Sequence, residues 1–200
     1  MASTALAQEH PFRVGVLYWS MNIPGQVAMR KGLEDEAARI NRRAERTGGR
    51  GVTLLPRVAG DGEAGIERQI TQMRALVDAG VDLIIAQPTD NAALAAPLRA
   101  ANARGIPVVA YDQYISGGDL AAYYTTDNHQ AGRLGGEYTA AHFPDDRPLR
   151  LVLVEYPHVS STVERVDGFL DALGDADQPY RIVATYRAVE PAAGLRELGL

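Results

Sequence analysis

The 200-residue sequence predicts an α/β fold, a doubly wound parallel sheet, on three observations. Short β-prone apolar runs alternate with segments of helical period along the whole chain, the order expected of successive β-α-β units. The run Val81-Asp82-Leu83-Ile84-Ile85-Ala86 is almost continuously apolar, as a strand is when helices cover both faces of its sheet. Glycines at 48, 49, 51, 80 and 105 close the helical segments, where a left-handed residue is needed to turn the chain.

The first unit spans Arg13 to Ala37. Val14, Val16 and Leu17 form a strand, Tyr18-Trp19-Ser20-Met21-Asn22 the turn after it, and Pro24 opens a helix, because its ring presets φ where a missing N–H costs little. That helix runs to about Arg46 with Val27, Leu33, Ala37 and Ile40 at helical spacing. Val52 to Leu55 predicts the second strand, Ala59 to Gly62 a turn, and Ile66, Ile70, Met73, Leu76 and Val77 one face of a helix that stops at Gly80. The third strand, Val81 to Ala86, leads into Gln87-Pro88-Thr89-Asp90-Asn91, where Asp90 or Asn91 can cap the next helix. Pro97 either kinks that helix or marks a later start. Ile106 to Tyr111 predicts the fourth strand, with Asp112 and Gln113 at its carboxyl end, and Ala121 to Thr125 a short fifth.

Asp127 and Asn128 stand as caps for a helix reaching about His142, whose Ala131, Gly132, Gly135 and Gly136 offer a small-residue face for close packing. After the break from Phe143 to Pro148 the cycle restarts. Leu151 to Val154 predicts a strand, Ser161 and Glu164 have capping-box spacing at the head of a helix, and Arg181 to Tyr186 predicts another strand. Glu190 to Leu200 begins a helix-like pattern.

At 46% hydrophobic and 22% charged residues, the chain has the composition of folded globular material. Its net charge of −5, with dispersed basic residues, lacks the footprint of a nucleic-acid binder. The absence of cysteine excludes disulfides, thiolate nucleophiles and thiolate metal sites. His10, His129, His142 and His158 show no metal-ligand spacing, and no apolar run approaches the ~20 residues of a membrane helix. No Gly-x-Ser-x-Gly elbow, Walker loop or dinucleotide fingerprint follows a strand, and Glu34-Asp35-Glu36 reads as a solvated helix face, so neither an enzyme nor a cofactor is expected. Ala5-Leu6-Ala7 before Gln8-Glu9 looks like the end of a secretory signal. Residues 1–11 therefore read as a signal remnant or as an alanine-rich tail.

In an open α/β sheet, ligands bind in the crevice at the carboxyl ends of the strands. Trp19, the one tryptophan, stands at such an end, as a ligand platform or as a ring packed under its loop. Asp112 and Gln113 occupy the matching position after the fourth strand.

The segments VGVLYWSMNIPGQVAMRKGLEDEA, DLIIAQPTDNAAL, GIPVVAYD, TTDNHQAGRLGGEY and STVERVDGFLDAL resemble, in order and spacing, the periplasmic sugar-binding proteins of ABC transporters, above all the ribose-binding type. The resemblance covers about Phe12 to Tyr186, and the ligand-sensing domains of LacI-type repressors share its motifs. It implies the type I periplasmic binding protein fold, in which two lobes close over a sugar. The first lobe falls on residues 12–126. The second, on 127–200, is incomplete, because family members continue well past this point; the sequence reads as a C-terminally truncated member. The implied function is non-enzymatic capture of a monosaccharide or polyol in the periplasm, by a monomer that delivers it to the permease of an ABC importer and binds no nucleic acid. A LacI-type effector domain and a receptor for a membrane sensor kinase are the alternatives.

Carried over by position, the resemblance places ligand contacts on Trp19, Ile23, Gly25 and Gln26, on Asp112 and Gln113, on Thr126 at the crossing between lobes, and on Arg165. Asp112 and Arg165 keep the family residue type. Gly25 and Gln26 stand where ribose binders carry stacking aromatics, and Gln113 where they carry arginine, which argues against ribose itself. Sugar hydroxyls both donate and accept, so Asp112 suits adjacent hydroxyls, Arg165 suits a donor role, and Asn22, Gln26 and Gln113 suit either. Against these stand structural roles: Asp112 as a loop brace, Asn22 as a turn cap, Arg165 as a solvated residue. Tyr156 and His158, on a loop facing the cleft in this topology, complete the candidates.

Overall fold

The computed structural model describes residues 10–143 and 147–187. The tail through Glu9 and the pattern from Glu190 to Leu200 lie outside the described residues. Among the described residues twelve elements follow one another: β1 (Phe12–Tyr18), α1 (Pro24–Thr47), β2 (Val52–Val58), α2 (Gly62–Asp78), β3 (Leu83–Ala86), α3 (Ala95–Ala103), β4 (Val108–Tyr111), β5 (Ala122–Tyr124), α4 (Asn128–His142), β6 (Leu149–Glu155), α5 (Ser160–Asp175) and β7 (Tyr180–Arg187).

The first five strands form one parallel sheet in the order β2-β1-β3-β4-β5. The order reverses between β1 and β3, and a crevice opens at their carboxyl ends at such a switch point. Alternation along β1 fills both faces. Leu17 packs with Met73, Leu76, Ile84, Leu98 and Val108 on the side of α2 and α3, while Val14, Val16 and Tyr18 pack with Leu33, Leu54 and Ile85 on the side of α1. Gly15 leaves room for Leu76 there, whose terminal methyl would stand 2.7 Å from an added Cβ and would have to shift. The second sheet has two described strands, β6 and β7, with α4 and α5 packed on each other beside it. The small-residue face of α4 serves that packing: a Cβ at Gly132 would meet the Arg165 carbonyl oxygen at 2.1 Å, and one at Gly136 the Phe169 carbonyl oxygen at 2.4 Å.

Several expected boundaries move, each for a physical reason. β2 extends past Leu55 to Val58, through Pro56; it is the edge of its sheet, so a residue without an N–H is tolerated. The strands expected to start at Val81 and Ile106 start two residues later, at Leu83 and Val108, because the Val81 and Ile106 N–H groups still close the preceding helices by donating to Leu76 O and Ala101 O. Pro97 falls in the first turn of α3, so the later start holds. Asp90 Oδ1 accepts from the backbone N–H groups of Ala92 and Ala93, capping the turn before that helix. Asp127 caps α4 by accepting from Gln130 N–H at 2.8 Å, as its position predicts. The capping box at Ser161 and Glu164 does not form. α5 begins one residue earlier with Val159 at its N-cap, and Gln113 takes both the N–H and the hydroxyl of Ser161. Glu34, Asp35 and Glu36 pair with Arg30, Lys31 and Arg39 on the exposed face of α1, the surface role expected.

Candidate functional site

The carboxyl ends of β1 and β4 and the loop between β6 and α5 converge on one cavity of about 270 Å³. At roughly 30 Å³ per water this holds about nine waters, the scale of one small polyhydroxylated molecule. Trp19, Ile23, Gly25, Gln26 and Met29 form one wall, Asp112 and Gln113 the floor, and Tyr156, Val159 and Thr162 the facing wall. Trp19 stacks on Tyr156, with ring centroids 6.3 Å apart and planes 28° from parallel. His158 meets the edge of Tyr156, and its Nδ1 lies 3.4 Å from Asp90 Oδ2.

Trp19 is 5% exposed, packed under its loop, and it also lines the cavity. Among the described residues its indole N–H has no hydrogen-bond partner, nor does Oε1 of Gln26, itself 6% exposed. A buried donor or acceptor left unpaired costs ~1–3 kcal/mol, so both groups favour a ligand that completes them. Asp112 adds a carboxylate at a strained position, φ 65°, a left-handed conformation that aspartate tolerates better than most residues. Its N–H donates to Tyr124 O at 2.9 Å and its carbonyl accepts from Thr125 Oγ1 at 2.9 Å, which fix the backbone. Beside it the Tyr111 phenol is buried without a partner among the described residues, and burial, with smaller contributions from Tyr18 and the Asp112 charge, pushes its pKa far above the usual range. It stays neutral, and among the described residues Asp112 is the one charged side chain on the cavity wall.

Gln113 is 4% exposed and bridges the two sheets: Nε2 donates to Ser161 Oγ at 2.8 Å, and Oε1 accepts from Ser161 N–H at 3.1 Å and Ser160 Oγ at 3.4 Å. Asn91 N–H to His158 O and Tyr114 N–H to Ser160 Oγ, both at 3.1 Å, reinforce that link. Each such bond contributes a net ~0.5–1.5 kcal/mol. Gln113→Ala is therefore expected to let the two sheet units move apart, and small-angle scattering checks this as a larger radius of gyration.

Four candidates do not reach this cavity, the first being His158, which stops at the edge of Tyr156. Asn22 is exposed, its side chain donating to Asp61 Oδ2 at 3.1 Å and its N–H to Ser20 Oγ, so it braces the loop. Thr126 is exposed, with its carbonyl accepting from Asn128 Nδ2 at 3.0 Å. Arg165 is exposed and sits nearly one turn beyond Thr162 along α5, about 4.5 Å further along the axis. It lines a separate groove with Gly132, Leu153 and Phe169, where α5 meets α4. Met29, Val159 and Thr162 belong to the cavity and were not singled out by sequence. The signal was available for Met29, which stands one helical turn after Gly25 and Gln26. Among the described residues no group of three or more His, Asp or Glu is placed to hold a metal ion, and no helix is long and apolar enough to cross a membrane.

Comparison with known proteins adds an independent line. Residues 14–196 match the family model described as periplasmic binding protein domain. The ribose import binding protein RbsB of Bacillus subtilis is 29% identical over 180 residues, 88% of this chain and 52% of the relative. Among solved structures, the Caulobacter myo-inositol binding protein bound to myo-inositol superposes with a TM-score of 0.71 at 29% identity, over 88% of this chain and 55% of that one. The fructose-binding periplasmic domain of a hybrid two-component system gives 0.69 at 26% identity, over 88% and 54%. The chain thus spans about half the length of the curated relatives it matches.

Proposed function

Since this chain belongs to the periplasmic binding protein domain family, we propose that it captures a small neutral carbohydrate, a monosaccharide or polyol, between two lobes and presents it to the permease of an ABC importer. In this reading residues 12–126 form the first lobe and residues from 127 on belong to the second. The observation that carries it is the cavity itself. A stacked Trp19–Tyr156 pair supplies an apolar ring face, and the unpartnered Trp19 N–H and Gln26 Oε1 stand with Asp112 as hydroxyl partners. Ile23 closes the apolar end, and Gln113 holds the lobes together rather than meeting the sugar. With Asp112 as the charged group of the wall, neutral sugars are favoured over sugar acids and sugar phosphates, whose anions it would repel.

The family and the import-binding relatives support a location outside the cytoplasm, and we assign the periplasm. They also favour transport over the effector domain of a regulator and over a sensor-kinase receptor. No chemical step and no cofactor is part of the proposal, and the protein acts as a monomer. Titrating the full-length protein with D-ribose, myo-inositol, D-fructose and D-xylose is expected to change the Trp19 emission with one member or a close isomer. The absence of both an emission change and a thermal shift with every neutral sugar, in folded protein, would sink the reading.

A further inference from the structure

The geometry points to Gln87 as the residue that positions the binding carboxylate, tying Asp112 to the backbone of Trp19 across the switch point of the sheet. This inference rests on the reading of Asp112 as a ligand contact. Gln87 follows β3 directly and is 1% exposed. Its Nε2 donates to Asp112 Oδ2 at 2.9 Å, and its Oε1 accepts from the Trp19 N–H at 3.3 Å. One amide thus reads the end of β1 and the end of β4 together, a geometry that needs both a donor and an acceptor at the same planar group.

The backbone of Gln87 is itself held. The Gln87 N–H donates to Leu17 O at 2.8 Å, and its carbonyl accepts from Gln69 Nε2 at 2.8 Å. Gln69, fully buried on α2, uses its other end to accept from Thr89 N–H at 2.8 Å and Thr89 Oγ1 at 3.0 Å. A buried chain of hydrogen bonds with each member satisfied defines a unique geometry. It ends on Asp112, whose left-handed backbone is fixed by Tyr124 and Thr125, so that backbone and one carboxylate oxygen are both determined and the second oxygen is left to the cavity. Strain over-determined by its surroundings is the mark of a preorganised site. Gln87 does not line the cavity, so it acts through Asp112 and Trp19.

The test is a cycle of Gln87→Glu, Asp112→Asn and the double variant, read by the emission of Trp19, the one tryptophan, and by calorimetric titration with D-ribose, myo-inositol, D-fructose and D-xylose. The Gln87→Glu substitution keeps the size and the acceptor for the Trp19 N–H but sets a second carboxylate against Asp112. Q87E is expected to shift the emission and to weaken binding of the responding sugar by about tenfold or more. In the double variant the new amide at position 112 donates back to the new carboxylate at position 87, and the emission returns towards wild type. A Q87E protein with wild-type emission and affinity overturns the proposal, as does a double variant displaced as far as Q87E alone. Should none of these sugars bind, the emission cycle decides by itself. If Asp112→Ala leaves affinity unchanged while the emission cycle shows coupling, the ligand role of Asp112 fails and the positioning contact stands.

Discussion

Replacing Asp112 with alanine is expected to lower sugar affinity by about a hundredfold or more, the largest effect of any single cavity residue. A carboxylate accepting from two hydroxyls makes charge-assisted bonds of ~1.5–3 kcal/mol each, and ~2.8 kcal/mol already amounts to a hundredfold in the dissociation constant. The same substitution leaves the Gln87 amide without its acceptor in the buried network. Isothermal titration with the responding sugar checks the affinity, and unchanged binding would remove Asp112 from the site.

The strained backbone allows a sharper version. At φ 65° an alanine adds conformational cost to the lost contact, whereas a glycine relieves it. Asp112→Gly should lose binding as Asp112→Ala does, yet melt higher than the alanine variant. Stability and affinity would then part company at one residue, which a general folding defect cannot produce.

How far these features were legible in the sequence follows from what each depends on. The alternating strands and helices and the glycine stops depend on local pattern, and among the described residues their order stands as the residues predict, with boundaries shifted by one to three residues. Pro56 hid the end of β2, because its tolerance depends on β2 being an edge, which only the assembled sheet reveals. Trp19 and Asp112 were visible because strand ends in this topology face the crevice. Gln87 was not, since Gln87-Pro88-Thr89 reads as an ordinary turn and its meaning comes from two other strand ends, 68 and 25 residues away in sequence. Ser161 misled for the converse reason: a local capping pattern was present, and a distant glutamine won the competition for its groups. Arg165 was carried over by position in the family pattern, and the structure sets it in the groove between α5 and α4 instead of on the cavity wall.

Gly168→Ala is expected to unravel the packing of α4 on α5, although it adds a single methyl group. A Cβ there would stand 2.1 Å from the His129 carbonyl oxygen and 3.1 Å from the Arg133 nitrogen, both backbone atoms that cannot swing aside. Gly132 and Gly136 make the mirror-image approach from α4, so the two helix backbones touch along the whole seam and cannot part at one point only. Overpacking of this kind costs ~1–3 kcal/mol or more. Bonds that bridge the seam, from Arg133 to Asp175 and between His129 and Asp171, are lost with it, although both are exposed and contribute little alone. Hydrogen exchange should show protection lost from residues 128–175 and kept in the five-stranded sheet, whose core is separate. Because Tyr156, Val159 and Thr162 come from the damaged unit, Trp19 loses its stacking partner and its emission moves to the red. The control is Gly174→Ala in the same helix, where nothing lies within 4 Å of the added Cβ. Alanine there should raise stability by up to ~1 kcal/mol through helix propensity. Opposite signs from one substitution at two sites in one helix would tie the loss at Gly168 to the seam and not to the helix.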